Sequence, residues 1–219
     1  MDLPPFDFDK RRKEFINSII IFVYDCLTKW RNSNNWSNNE NEKKLNSDLA
    51  KSLTWYARTA EREVNFFSEE LQGKVHTVDI VACHYDKNIE NFRDVITVFE
   101  CKRLTKAIGR DRTDEYVTGH EKTDGGIQRF KLEVHGKEHE IVGMIGYIQS
   151  GTYLEWLETI NNCIVNLCDK PDENGLHWNK SELLNTIEHD EENRKYHGKS
   201  IHPRKTKPDI TIHHLWVNM

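Results

Sequence analysis

Apolar residues in the first quarter of the chain recur at helical spacing. Phe15, Ile19, Phe22, Val23 and Cys26 fall on one face of a stretch from 7 to about 30, which predicts a helix with a buried side. Leu49, Leu53, Tyr56 and Ala60 repeat that spacing, predicting a helix over 47–61 with Ser47 as its N-cap and Asp48 against its positive end. Between them, residues 31–44 are rich in Asn, Ser and Glu and read as an exposed loop. From Val64 the pattern shifts toward strands. Residues 64–67 and 75–82 are β-prone, with Gln72-Gly73 as a turn, and a polar loop through Asp86-Lys87-Asn88 precedes the strongest strand, 94–102. A further apolar run at 141–147 leads into a helix over 152–168. Another helix is predicted over 181–189, and 209–217 alternates like a terminal strand. With no internal repeat and no convincing linker, the 219 residues read as a single α/β domain, a mixed central β-sheet flanked by α-helices. Residues 1–45 form its N-terminal helical extension and loop.

Composition changes this picture little. Charged residues make up 31% and hydrophobic residues 37%, with enough aromatics to supply a core. Lys10 to Lys13 followed by the apolar run at 15–24 imitates a secretion signal. Acids precede the basic cluster, Asp25 closes the run, no small-residue cleavage site follows, and the run is too short to span a bilayer. A membrane partner is therefore not expected. Five cysteines, Cys26, Cys83, Cys101, Cys163 and Cys168, are odd in number and lack CxxC pairing, which points to free thiols and a reducing cytoplasm. The net charge of -5 gives no global attraction to nucleic acid, so such binding needs local patches, a metal or a partner subunit. The eleven histidines show no ligand spacing with cysteine. His213 and His214, adjacent on a strand, point to opposite faces, so structural zinc is not expected.

The candidate chemistry lies on two neighbouring strands that carry acids inside apolar runs. Asp79 interrupts Val78 to Ala82. Glu100 and Lys102, two residues apart, project from one face of the next strand while Phe99 and Cys101 point to the other. Glu-x-Lys alone is common on solvated strand ends; the preceding Asp79 sets this instance apart. An unpaired buried carboxylate is costly, and a divalent cation held by Asp79 and Glu100 would compensate both acids. Oxygen ligands suit Mg²⁺, with Mn²⁺ as a substitute. Lys102 beside that cation could orient water and stabilise charge on a phosphate, an arrangement suited to phosphodiester hydrolysis.

Asp79 followed by Glu100-Cys101-Lys102 resembles the D…ExK signature of the PD-(D/E)xK superfamily, the restriction-endonuclease-like nucleases. Val78 stands where those proteins usually carry Pro. Glu115-Tyr116-Val117-x-Gly119, Gly125-Gly126-Ile127-Gln128-Arg129-Phe130, His135-Gly136, Met144-Ile145-Gly146-Tyr147, Ser200-Ile201-His202-Pro203-Arg204 and His213-His214-Leu215-Trp216 resemble the downstream blocks of a bacterial subgroup often found in defence loci. The similarity runs from about 48 to 217, and the D…ExK core is its specific part. It implies a restriction-endonuclease-like core and a Mg²⁺-dependent nuclease with Asp79, Glu100 and Lys102 as catalytic residues, acting in anti-phage or anti-plasmid defence on DNA in preference to RNA. It also implies a further acid from a helix before the Asp strand. Asp48 is the first candidate for that metal ligand, with Glu69 or Glu70 as the second, against the plainer reading of an N-cap or a solvated acid. Arg103, Arg110, Arg129, His202 and Arg204 are the candidate nucleic-acid contacts, weighed against an ordinary surface loop or, for Arg129 after Gly125-Gly126, a simple turn into a helix. The competing expectation is a subunit that keeps the nuclease fold but binds nucleic acid or protein without cleaving. The acidic net charge and the lack of a separate DNA-reading module leave room for a protein partner or a second copy of the chain.

Overall fold

Helix α1 (Phe8–Asn32) and helix α2 (Glu42–Thr59) open the chain, and their apolar stripes close over one face of a seven-stranded sheet. The computed structural model describes residues 8–37, 39–72, 76–85, 94–106, 113–118, 125–169 and 175–219. Strands β1 (Val64–Gln72), β2 (His76–His84), β3 (Val95–Leu104), β4 (Ile141–Ile148), β5 (Asn185–Asp190), β6 (Lys195–His202) and β7 (Ile210–Asn218) stand in the order β1-β2-β3-β4-β7-β6-β5. The centre, β3-β4-β7, is parallel, and the outer pairs on both sides are antiparallel. The chain is thus an α/β protein with a mixed sheet flanked by helices.

Parallel central strands are covered on both faces and should be apolar throughout. All eight residues of β4 are buried accordingly. On one face Phe99, Cys101, Ile145, Tyr147 and Leu215 meet Ile19, Val23 and Leu27 of α1 and Leu49 and Leu53 of α2. Helix α1 therefore shares a core with the sheet. On the other face Val98, Leu104, Met144 and Trp216 pack under Ile127 and Phe130 of α3 (Gly126–Lys131) and Trp156 and Ile160 of α4 (Tyr153–Cys168). Gly151, at φ 78, makes the tight turn out of β4 that a side chain would strain. Thr152 and Glu155 then close a capping box that starts α4.

Two elements depart from the expected pattern. Helix α2 begins at Glu42, not Ser47, and its N-cap is Asn41, whose side chain accepts the Lys43 N–H at 2.9 Å. Glu42, Lys43 and Lys44 resemble loop in composition, yet they are good helix formers once a cap precedes them. The helix expected over 181–189 is instead a single 3-10 turn (Lys180–Glu182) followed by the edge strand β5. Pairing of β5 with β6 overrides the helical spacing of Leu183, Leu184 and Ile187. The expected turn at Gln72-Gly73 runs into residues 73–75, outside the described residues, as does the polar loop at 86–88.

Candidate active site

Asp79, Glu100 and Lys102 come together between β2 and β3. The β2–β3 ladder runs to the pair Ile80↔Phe99. Beyond it, the Cys101 N–H is taken up by Asp79 Oδ2 at 2.8 Å, a side chain replacing a ladder partner. Glu100 and Lys102 share the strand face opposite Phe99 and Cys101, and Lys102 Nζ donates to Glu100 Oε1 at 2.7 Å. Glu100 is fully buried. Two further donors reach it from the α3 region: Arg129 Nη1 to Oε1 at 2.9 Å, and His135 Nδ1 to Oε2 at 2.9 Å. An ionised carboxylate only accepts, so the His135 proton sits on Nδ1.

A third acid enters from the first turn of α2. Glu42 Oε2 accepts the Arg103 backbone N–H at 3.0 Å, and its charge reaches both Asp79 and Lys102. Sequence reasoning missed Glu42 because it sat in the stretch read as loop. The usable signal was Asn41-Glu42, a capping residue followed by an acid at a helix start. His135 also escaped assignment, since isolated histidines in a sequence carry no mark of their partner.

The charges are unevenly compensated. Burial would push Glu100 up, but Lys102, His135 and Arg129 hold it well below the usual carboxylate range. Burial would push Lys102 down, but Glu100, Glu42 and Asp79 hold it above the usual lysine value, so it is a permanent cation and a donor. Asp79 is the exception. Burial, and then the Glu100 charge, push it up to about 7 against the pull of Lys102 and the Cys101 N–H. No donor among the described residues reaches its Oδ1. Among the described residues, no three His, Cys, Asp or Glu side chains stand grouped as a ready metal cage.

The remaining candidates are held by other partners or lie away from the trio. Asp48 accepts from the buried Trp30 Nε1 at 2.8 Å and ties α2 to α1, whereas Glu42 on the same helix is the acid whose charge reaches Asp79 and Lys102. Glu69, at φ 57, is ion-paired with Lys43 at 3.4 Å, and Glu70 pairs with Val78 in the β1–β2 ladder. Arg103 points away from Lys102 across the strand and carries a buried Nε without a hydrogen bond. Arg129 is spent on Glu100. Arg204 donates from Nη1 to the carbonyls of Gly136, Lys137 and His139, and from Nε to that of Pro208. It therefore fixes the loop that carries His135 and does not stand free for a phosphate. Arg110 lies outside the described residues.

His202 corrects a further expectation. It is fully buried in a chain of hydrogen bonds linking Lys131, Glu182, His202, Ser200, His214, Tyr116 and Trp216. Each proton in it can be placed. Burial pushes Glu182 up, but His202 and Lys131 hold it below the usual range, while burial keeps His202 and His214 neutral. His202 then donates from Nδ1 to Glu182 at 2.7 Å, and Ser200 donates to His202 Nε2 at 2.6 Å. His214 Nε2 donates to Ser200 at 2.7 Å, and Tyr116 donates to His214 Nδ1 at 2.8 Å. Ser200, His202 and Glu182 imitate a hydrolytic triad, but no member reaches solvent, and their role is to join α3 and its neighbours to β6 and β7. His213 and His214 do face opposite sides, His213 bonding to His197 at 2.9 Å.

Compared with protein-family models, curated proteins and solved structures, the chain matches none. No helix among the described residues is long and apolar enough to cross a membrane.

Proposed function

We propose that the protein is a divalent-metal-dependent nuclease of the PD-(D/E)xK kind, hydrolysing phosphodiester bonds of DNA at Asp79, Glu100 and Lys102. One observation carries this reading. A buried carboxylate, a half-buried one and a charged lysine meet on adjacent strands beside the parallel centre of an α/β sheet, and the half-buried carboxylate, Asp79, lacks a compensating charge of its own.

The donor set fits a hard cation. Asp79 offers Oδ1, Glu100 Oε2 keeps an acceptor direction beyond its bond from His135, and the Glu42 charge adds to the negative field at Asp79 without completing a three-acid cage. Bound there, Mg²⁺ or Mn²⁺ would lower the pKa of a water and offset charge on the phosphate. Lys102, held charged by three acids, can donate to a phosphoryl oxygen or aim the water, and it is too basic to accept the water's proton. Arg129 and His135 fix the Glu100 carboxylate, so its oxygens keep one orientation.

Glu100 with three donors also supports a second reading, a nuclease-like fold that binds nucleic acid or a protein partner without cleavage. One assay separates the two. Purified protein is incubated with plasmid and single-stranded DNA in Mg²⁺, Mn²⁺ or EDTA, beside Asp79→Ala and Lys102→Ala. Cleavage that needs metal and is lost in both variants is expected. Metal-dependent cleavage that survives both substitutions would sink the site, and no cleavage under any condition would favour the binding module. A role in anti-phage or anti-plasmid defence is part of the same proposal, and loss of phage protection in cells carrying Lys102→Ala is its test.

A further inference from the structure

A concave site opens at the carboxyl ends of β4 and β7, where β6 and the first turn of α4 close a cavity of ≈ 380 Å³. That volume suits one small ring compound. Its wall is aromatic. Tyr153 lies against the His189 ring with centroids 3.5 Å apart and stacks on Tyr196 at 5.5 Å, and Tyr196 lies on Trp216 at 4.6 Å. Trp216 and Tyr196 are buried, whereas Tyr153 and His189 keep partial exposure at the cavity. The polar lining includes Asn218 and the exposed Arg194.

Arg194 and Lys195 bring positive charge to the lining, Lys195 ion-paired with Asp25 at 3.4 Å. Beyond the lining, Arg31 donates to the carbonyls of Asn193 and Asn218, each at 3.3 Å, and to Asn32 Oδ1, and burial followed by the Arg194 charge holds its pKa below the usual arginine value. Neither Arg31 nor Arg194 has an ion pair among the described residues. The one acid in the lining, Glu191, lies 3.9 Å from His189. The Arg194 guanidinium beside a stacked aromatic wall calls for a flat ring bearing an anionic group.

The register ties this cavity to the candidate active site. Lys102, Gly146, Trp216, Tyr196 and His189 are successive partners across β3, β4, β7, β6 and β5. From Lys102 to Tyr196 is three strand spacings, about 14 Å, or about four stacked nucleotides.

We propose that the cavity holds a nucleobase carrying a phosphate, its ring on Tyr153 and its phosphate at Arg194. The choice of ligand class rests on the nuclease reading. The base belongs to a nucleic-acid strand leading to Lys102 or to a free nucleotide, and the two arms of the test tell these apart.

Equilibrium binding of deoxyadenosine monophosphate and of an eight-residue oligodeoxyadenylate is measured in EDTA, so that neither metal nor cleavage enters. One saturable site per chain is expected, weakened about tenfold or more by Tyr153→Ala and by Arg194→Asn, and retained in Tyr153→Phe. Asparagine at 194 tolerates the left-handed φ of 51 found there, so the variant removes charge without straining the turn. Tighter binding of the oligonucleotide assigns the site to a strand, and equal or tighter binding of the mononucleotide assigns it to a free nucleotide. No saturable binding of either probe, or binding unchanged in both Tyr153→Ala and Arg194→Asn, overturns the proposal. Loss of this site while wild-type cleavage persists leaves the nuclease reading standing. Binding without any cleavage removes the nuclease reading and keeps the cavity.

Discussion

Asp79 should make the metal-free protein less stable as pH rises. Its carboxyl is raised from an ordinary 3.8 to about 7, chiefly by burial and then by Glu100. The folded protein keeps this proton up to about pH 7, while the unfolded chain releases it near pH 4. Between those values the native state binds more protons, so its stability falls with increasing pH. At about 1.4 kcal/mol per pH unit, Asp79 costs the native state about 4 kcal/mol at pH 8 that it does not cost at pH 4. Asp79→Asn keeps an oxygen for the Cys101 N–H and removes the titrating group. In EDTA, urea unfolding followed by tryptophan fluorescence should find Asp79→Asn more stable than wild type by about 2–4 kcal/mol at pH 8. The gap should close toward pH 4, and Mg²⁺ should narrow it at pH 8 by stabilising only the wild type. Equal pH dependence in the two proteins, or a less stable variant at pH 8, would refute the reasoning.

Three further outcomes follow from the geometry. Glu42→Gln should retain the acceptor for the Arg103 N–H yet raise the Mn²⁺ concentration for half-maximal cleavage about tenfold, read from a metal titration. His135→Ala leaves Glu100 buried with one donor fewer; it should cost about 2–3 kcal/mol in urea unfolding and reduce cleavage, with Arg129 and Lys102 still in place. Ser200→Ala strands His202 Nε2 and His214 Nε2 in the interior and should cost about 2–3 kcal/mol, while cleavage at a temperature where the variant stays folded should be close to wild type. A matching loss of activity in Ser200→Ala would place the buried histidine chain in catalysis.

The central strands, and the meeting of Asp79, Glu100 and Lys102 on them, were the most legible part of the sequence. A carboxylate in Val78 to Ala82, and Glu100 and Lys102 two apart in a run of Val, Phe and Cys, violate the apolar pattern that buried strands keep, and such violations mark sites. Period two put Glu100 and Lys102 on one face, where their ion pair lies. Long-range partners were illegible. Nothing local says that Glu42 reaches the end of β3, that His135 closes on Glu100, or that Ser200-x-His202 is interior and not a basic surface. Each depends on which elements the sheet order makes neighbours. Arg204 illustrates the same limit, since three of its four acceptors are carbonyls more than sixty residues away. The β5 edge strand was lost because Leu183, Leu184 and Ile187 satisfy helical spacing equally well, and only pairing with β6 decides between the two.

The most direct measurement is the rate of plasmid nicking by Asp79→Asn beside the wild type, in Mg²⁺ at pH 8, where the variant is expected to be the more stable protein. If Asp79 holds the cation that cleavage needs, the variant should be folded and slower by about a thousandfold. Nicking by Asp79→Asn at the wild-type rate, abolished by EDTA in both, would contradict a metal centre at Asp79 and Glu100.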